Sequence, residues 1–368
     1  MTKIISILFS ILFTVPFAFG DERFGKWDRN SDGKLAKTEL PEPLRRNFER
    51  VDTDGDGFIS KEEHLSVRRP GSVSAPKESG HSGKIADIDY SGNDNPRQML
   101  DLYLPEGYKD SEKPLPLLCW IHGGGWRGGS RDGTGILRKV MATGDYAGAS
   151  IGYRLSGEAQ WPSQIHDCKA AIRWLKANAE KYNLDPERIA VAGSSAGGHL
   201  VAMLGVSHGV EHLEGDIGEY GDFDSEVACV VDLYGPTELL TMSDFGGAMD
   251  HNAPNSPESF LIGGPIQENK DKANDASPIK HVTKDDEPFL IIHGSEDPVV
   301  VYQQSTAFEK VLEDAGVPAI LVTVDGGGHG KGFGSETTDI AIQFLNRMLL
   351  GKGELPVDQT VKSAGPAR

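Results

Sequence analysis

Uninterrupted apolar runs at 115–121, 146–153, 188–192, 228–233, 289–293 and 319–324 constrain the fold more than any other feature of the chain. A strand with one wet face alternates apolar and polar residues, so a run without alternation needs cover on both faces. Residues 165–182, 301–315 and 336–350 repeat apolar side chains at helical spacing and supply that cover. Strands alternating with helices imply an α/β body built on a mostly parallel sheet, with short alternating runs at 85–90 and 98–103 as its first strands. At 368 residues, 38% apolar and 25% charged, the chain has material for a large core and a separate appendage.

The run at 188–192 leads into VAGSSAGGHL, where two serines stand side by side. A nucleophile elbow turns sharply from strand to helix and tolerates only tiny side chains two positions before and after its serine. Centred on Ser195, those positions are Gly193 and Gly197; centred on Ser194 they are Ala192 and Ala196. Ser195 is therefore the candidate nucleophile. After the run at 115–121 comes HGGGWRGG, and an H-G-G-G loop following a strand lets backbone N–H groups approach a developing oxyanion closely. Gly124 and Gly125 are the expected donors, joined by the N–H of Ala196. A phosphate-binding reading of the glycines fails because no G-K-[ST] follows.

A base and its orienting acid are expected later, in the order Ser, Asp, His. FLIIHGSEDPVV places Asp297 just beyond one apolar run, and AILVTVDGGGHG places His329 just beyond the next. Both fall past the carboxyl ends of strands, where such sheets meet their ligands. His293, Glu296, Asp325, His199 and His166 sit within a strand, off the preferred position or on helices, and read as structural. Trp126 and Trp161 are candidate substrate-binding residues, and Tyr153 and Tyr234 are weaker ones, each with core packing as the alternative.

The motifs LDLYLP, HGGGWRGG, GYRLSGEAQWPSQIHDCKAAIRWL, GSSAGGHL, DLYGPTEL and HGSEDPVV together resemble those of α/β-hydrolases of the hormone-sensitive-lipase and BD-FAE (acetyl or feruloyl esterase) type. The resemblance covers most of 84–350 and implies hydrolysis of carboxylic esters, small acyl esters or acyl groups on carbohydrates, with no cofactor for catalysis. Residues 205–285 depart from the pattern, reading as a short polar substitute for a long apolar lid, which disfavours large lipids. Two alternatives stand beside a serine esterase: a serine peptidase of the same fold, and a catalytically inactive, calcium-dependent binding protein.

Upstream, a twelve-residue pattern occurs twice. Asp28, Asn30, Asp32 and Glu39 stand at positions 1, 3, 5 and 12 of the first copy, and Asp52, Asp54, Asp56 and Glu63 in the second. Lys34 and Phe58 occupy position 7, which contributes a backbone carbonyl, and Gly33 and Gly57 occupy the sharp turn. Such spacing offers calcium its six to eight oxygens at about 2.3–2.6 Å. The two copies resemble an EF-hand pair, since glutamate at position 12 favours that over a dockerin-like module. Pro41 and Pro43 leave room for one helix, expected at 44–51.

Lys3, the apolar stretch 4–19 and the small residues Ala18 and Gly20 read as a signal peptide over 1–20, hence a secreted or periplasmic protein, with an uncleaved anchor as the alternative. The stretch is shorter than the ~20 residues of a stable membrane span. A net charge of −18 disfavours nucleic acid as a partner. Three scattered cysteines, Cys119, Cys168 and Cys229, make no disulfide framework and read as buried thiols. The expected order is signal 1–20, EF-hand pair 21–67, flexible linker 68–83, hydrolase 84–350 and flexible tail 351–368.

Overall fold

The computed structural model describes residues 83–365 continuously and, before them, residues 24, 27–40, 45, 48, 52, 56–61 and 63. The chain divides into two compact units, Met1–Lys77 and Glu78–Arg368. The stretch read as a signal peptide, nearly all of the expected linker and most of the expected helix at 44–51 lie outside the described residues.

In the first unit, β1 (Lys34–Ala36) and β2 (Phe58–Ser60) pair antiparallel, with Leu35 opposite Ile59 at position 8 of each loop. Each strand is the exit of one Asp-rich loop. Leu35 and Ile59 are buried with Phe24, Leu40 and Phe48 in a small apolar cluster.

The second unit is built on nine strands: β3 (Gly83–Asp89), β4 (Met99–Leu104), β5 (Leu115–Ile121), β6 (Ala147–Ile151), β7 (Leu184–Ser194), β8 (Cys229–Leu233), β9 (Phe289–Gly294), β10 (Ala319–Asp325) and β11 (Gln359–Lys362). They line up as β11-β10-β9-β8-β7-β5-β6-β4-β3. The β3–β4 and β4–β6 pairs are antiparallel, and every pair from β6 to β11 is parallel. Neighbouring residues of one strand enter opposite cores: Leu117, Cys119 and Ile121 pack on one face of the sheet, Leu118 and Trp120 on the other. Helices Ser163–Ala177, Ala196–Val206 and Gln303–Ala315 contribute to the first face. Helix Ser335–Leu350 contributes Ile340, Ala341, Phe344 and Leu345 to the second. The continuous apolar runs thus find cover on both sides, and Cys119, Cys168 and Cys229 are buried free thiols. No helix among the described residues is long and apolar enough to cross a membrane.

Three expectations about boundaries need correction. Residues 351–368 are not simply a flexible tail: β11 pairs with β10, Val361 is buried, and the Leu321 N–H donates to Asp358 Oδ1 at 3.0 Å. A four-residue edge strand with one inward side chain carries too little apolar signal to stand out. Gly83, assigned to the linker, opens β3. Residues 205–285 are not one polar insert, because they contain the end of a core helix and the central strand β8. The part after β8 forms short helices whose Leu239, Met242, Leu261, Ile262 and Ile266 join the main core.

Candidate active site

Strand β7 ends at Ser194, and helix Ala196–Val206 begins two residues later, with Ser195 between them. Ser195 makes the turn with φ 55° and ψ −122°, a backbone conformation that costs energy for a residue with a Cβ. Its N–H donates to Leu233 O and its carbonyl accepts from His199 N, both at 2.9 Å, so β8 and the helix hold the turn from two sides. The two glycines are steric requirements: a Cβ on Gly193 would overlap the Gly197 carbonyl, and one on Gly197 would overlap the carbonyls of Ile121 and His122 at the end of β5.

His329, four residues past β10, brings Nε2 to 2.9 Å from Ser195 Oγ and Nδ1 to 2.7 Å from Asp297 Oδ2. Asp297 follows β9 and is buried. Its Oδ1 accepts the N–H groups of Val299 (2.8 Å) and Val300 (3.0 Å). Burial pushes its carboxyl upward, but hydrogen bonds from His293 and His329 outweigh burial and hold it well below the usual carboxylate range. His293, read from sequence as structural, stands behind Asp297: Nε2 lies 3.3 Å from Asp297 Oδ2 and 2.8 Å from Val300 O.

The H-G-G-G loop lies against the elbow, where a Cβ on Gly123 would come within 2.6 Å of Ser194 O and 3.2 Å of Ser195 Cβ. Gly124 and Gly125 have φ of 117° and 58°, and Gly124 O accepts from Arg127 N and Gly128 N, both at 3.1 Å, closing the loop on itself. Among the described residues, the N–H groups of Gly124, Gly125 and Ala196 have no protein acceptor. Buried beside the loop, His122 stacks on Tyr153 at 4.4 Å, and burial lowers its pKa to about 4.

These elements surround a cleft of about 710 Å³ lined by Gly123, Gly124, Gly125, Ser195, Ala196, Tyr234 and His329. Trp126 also lines it, although only 1% of the residue is exposed. Its indole Nε1 donates to His199 Nδ1 at 3.2 Å, and His199 Nε2 donates to Ala276 O at 2.7 Å, so Trp126 is a braced wall. Trp161 does not line the cleft. Its Nε1 donates to Asp275 Oδ2 at 2.7 Å and its ring packs edge-on to His199, because that distant acid gives the indole a partner away from the opening. Tyr153 is core, its hydroxyl donating to His122 O. Sequence reasoning missed Met249, His251, Pro257 and Glu258, which form another wall. Ser256 followed by Pro257 is a helix-start signal, and Ser256 Oγ does cap the helix Pro257–Ile262.

In the N-terminal unit, equivalent positions of the two loops make equivalent contacts. Asp28 accepts the N–H groups of Asp32 (3.1 Å) and Gly33 (2.9 Å), as Asp52 accepts those of Asp56 (3.1 Å) and Gly57 (2.9 Å). Position 12 reaches back in both loops, from Glu39 to Ala36 N and from Glu63 to Ser60 N, each at 2.9 Å. Asn30 Oδ1 accepts from Asp32 N, and Lys34 Nζ pairs with Asp56 Oδ2, both at 2.9 Å. Asp54 lies outside the described residues. A set of carboxylate, amide and carbonyl oxygens suits a hard cation such as calcium.

Comparison with known proteins agrees with this geometry. A family model described as BD-FAE matches residues 100–312, more than half of the chain. Models described as TAP-like protein and EF hand match 268–361 and 45–63. Esterase LipC of Mycobacterium tuberculosis is 33% identical over 246 residues, covering 64% of this chain and 58% of that protein. The chain thus spans less than two thirds of that curated relative's length. A truncated carbohydrate esterase from gut microbiota superposes with a TM-score of 0.69 at 35% identity, covering 75% of this chain and 99% of that one. An acetyl ester-xyloside bifunctional hydrolase from Caldicellulosiruptor lactoaceticus superposes with a TM-score of 0.57 at 25% identity, covering 67% and 87%. Strand order, elbow and family match converge on one assignment: this chain belongs to the BD-FAE family of α/β-hydrolases.

Proposed function

We propose that the protein is an exported serine esterase that hydrolyses short acyl esters, acetyl or feruloyl groups on carbohydrates among them. The observation that carries the reading is the chain of contacts from Ser195 Oγ through His329 to Asp297, opening into a cleft beside unpartnered backbone N–H groups. His329 Nε2 takes the proton as Ser195 Oγ attacks the ester carbonyl, and Asp297 holds the imidazole in the tautomer that accepts it. The oxyanion of the tetrahedral intermediate receives hydrogen bonds from the N–H groups of Gly124, Gly125 and Ala196. The alcohol leaves with the proton from His329, and a water deprotonated by His329 releases the acid from the acyl-enzyme. The names of the carbohydrate esterase and the acetyl ester-xyloside hydrolase support acylated carbohydrates as the substrate class. The apolar stretch 4–19 behind Lys3 supports export.

The first unit, in this reading, binds calcium. Asp28, Asn30, Asp32, Lys34 O and Glu39 would hold one ion, and Asp52, Asp54, Asp56, Phe58 O and Glu63 the other. Bound calcium supplies positive charge that neutralises the crowded carboxylates.

The test is hydrolysis of p-nitrophenyl acetate by Ser195→Ala and Ser194→Ala. Ser195→Ala is expected to lose roughly 10⁴-fold or more in kcat, because members of such a triad act as a unit. Ser194→Ala is expected to lose less than about threefold, in the range of a substitution that removes no reacting group. The reverse order contradicts the assignment.

A further inference from the structure

One wall of the cleft carries an acid and a base that ester hydrolysis as described does not use. Glu258 is 3% exposed, lines the same cleft as Ser195 and His329, and its Oε2 has no hydrogen-bond partner in the protein. Its other oxygen, Oε1, lies 3.0 Å from His251 Nδ1, and His251 is 2% exposed. His251 Nε2 stands 2.8 Å from the Val299 carbonyl, which only accepts, so Nε2 carries a proton. Nδ1 lies 3.0 Å from Oε1, a charge contact without hydrogen-bond alignment. Burial lowers the pKa of His251, but the Glu258 carboxyl beside it outweighs burial and the net shift is upward.

The surroundings fix the place of this residue on the wall. Pro257 packs on the H-G-G-G loop, since a Cβ on Gly125 would meet Pro257 Cβ at 3.3 Å. On the other side, Val299 receives His251 through its carbonyl and gives its N–H to Asp297. Glu258 is therefore held between the oxyanion loop and the loop that carries the acid of the triad. A buried acceptor without a protein donor, on the wall of a substrate cleft, is suited to a donor that the ligand brings.

We propose that Glu258 accepts a hydrogen bond from a hydroxyl group of the substrate and thereby selects hydroxyl-bearing esters, with His251 as the residue that positions it. The inference rests on the cleft being the ester-hydrolysing site. A ligand hydroxyl has two possible homes, the alcohol part of the ester, as on a sugar, or the acyl part, as on a phenolic acid.

Matched substrates separate them: acetylated methyl xyloside against cyclohexyl acetate for the alcohol part, and methyl 4-hydroxycinnamate against methyl cinnamate for the acyl part. For each pair the ratio of kcat/KM, hydroxylated over hydroxyl-free, is measured in the full-length protein, in Glu258→Gln and in Glu258→Ala. A hydrogen bond to a charged group is worth roughly 10- to 100-fold in such a ratio. Glu258→Gln keeps the shape of the wall and is expected to lower the ratio about tenfold in one pair, which identifies the hydroxyl's home, and Glu258→Ala to lower it further. His251→Gln is expected to lower the same ratio through KM of the hydroxylated ester alone, a split that a general loss of stability does not produce. Ratios within about twofold of the parent in both pairs, with Glu258→Gln folded by circular dichroism, would overturn the proposal. Ser195→Ala in parallel keeps the two questions apart, because its retained turnover would overturn the esterase reading whatever Glu258 does.

Discussion

The hydrolase body and the N-terminal loop pair hold their functional oxygens and nitrogens by opposite means. In the body, Ser195 is pinned by backbone hydrogen bonds to Leu233 and His199, by glycines that admit no Cβ, and by a sheet buried on both faces. Its geometry needs no ligand. In the loop pair, a cluster that includes, among the described residues, five buried apolar side chains supports two loops rich in carboxylates. The described geometry of these loops rests on hydrogen bonds from their own N–H groups to Asp28 and Asp52. On the proposed reading, a site for covalent chemistry is made rigid by packing, and a site for an ion leaves part of its order to the ion.

The strongest way to break this contrast is to add one methyl group to the body. Gly197→Ala forces the helix after Ser195 away from the Ile121 and His122 carbonyls. The expected cost is about 3 kcal/mol or more, with activity lost in proportion to the displaced elbow. Chemical denaturation of the variant is the measurement, and an unchanged midpoint with full activity would show that Gly197 is not a packing requirement.

A second measurement sharpens the other half. If the loop pair binds calcium as proposed, mass action at a calcium concentration about 100 times the dissociation constant stabilises it by roughly 3 kcal/mol, and a chelator removes that. In calorimetry of the full-length protein, the chelator is expected to lower the transition of the first unit. Turnover of p-nitrophenyl acetate should change less than about twofold, because every catalytic candidate belongs to the second unit. Strong inactivation by the chelator would show that the metal governs the catalytic groups.

A smaller effect concerns pH. Burial lowers the pKa of His122 and of His199 to about 4, from 6.5. The unfolded chain takes up these protons near pH 6.5 and the folded chain only near pH 4, so unfolding binds protons within that window. The stability due to the two neutral imidazoles is complete above pH 6.5 and lost as pH falls toward 4. The Tm of the body is expected to decline through this range, and His199→Gln to flatten the decline. A variant with the parent's slope would remove His199 from that account.

Much of this was legible before any coordinates because chain order and periodicity carry it. Strands buried on both faces announce themselves as unbroken apolar runs, and Asp297 and His329 stand where such strands end. Other features depend on partners far away in sequence. Trp161 is withdrawn from the cleft by Asp275, and Glu258 acquires its meaning from His251, Val299 and the H-G-G-G loop. No local pattern reveals which wall a short capped helix will face. The edge strand β11, with Val361 as its buried side chain, is too short for its alternation to register.

The central claim is that Ser195, and not the adjacent Ser194, is the group that forms the covalent bond. Labelling the protein with a fluorophosphonate and mapping the modified peptide by mass spectrometry tests this directly. Attack requires a hydroxyl hydrogen-bonded to His329, which Ser195 has at 2.9 Å. The account predicts stoichiometric modification of Ser195, loss of turnover in step with labelling, and no labelling of Ser195→Ala or His329→Ala. A label on Ser194, or a fully labelled protein that still hydrolyses p-nitrophenyl acetate, would contradict it.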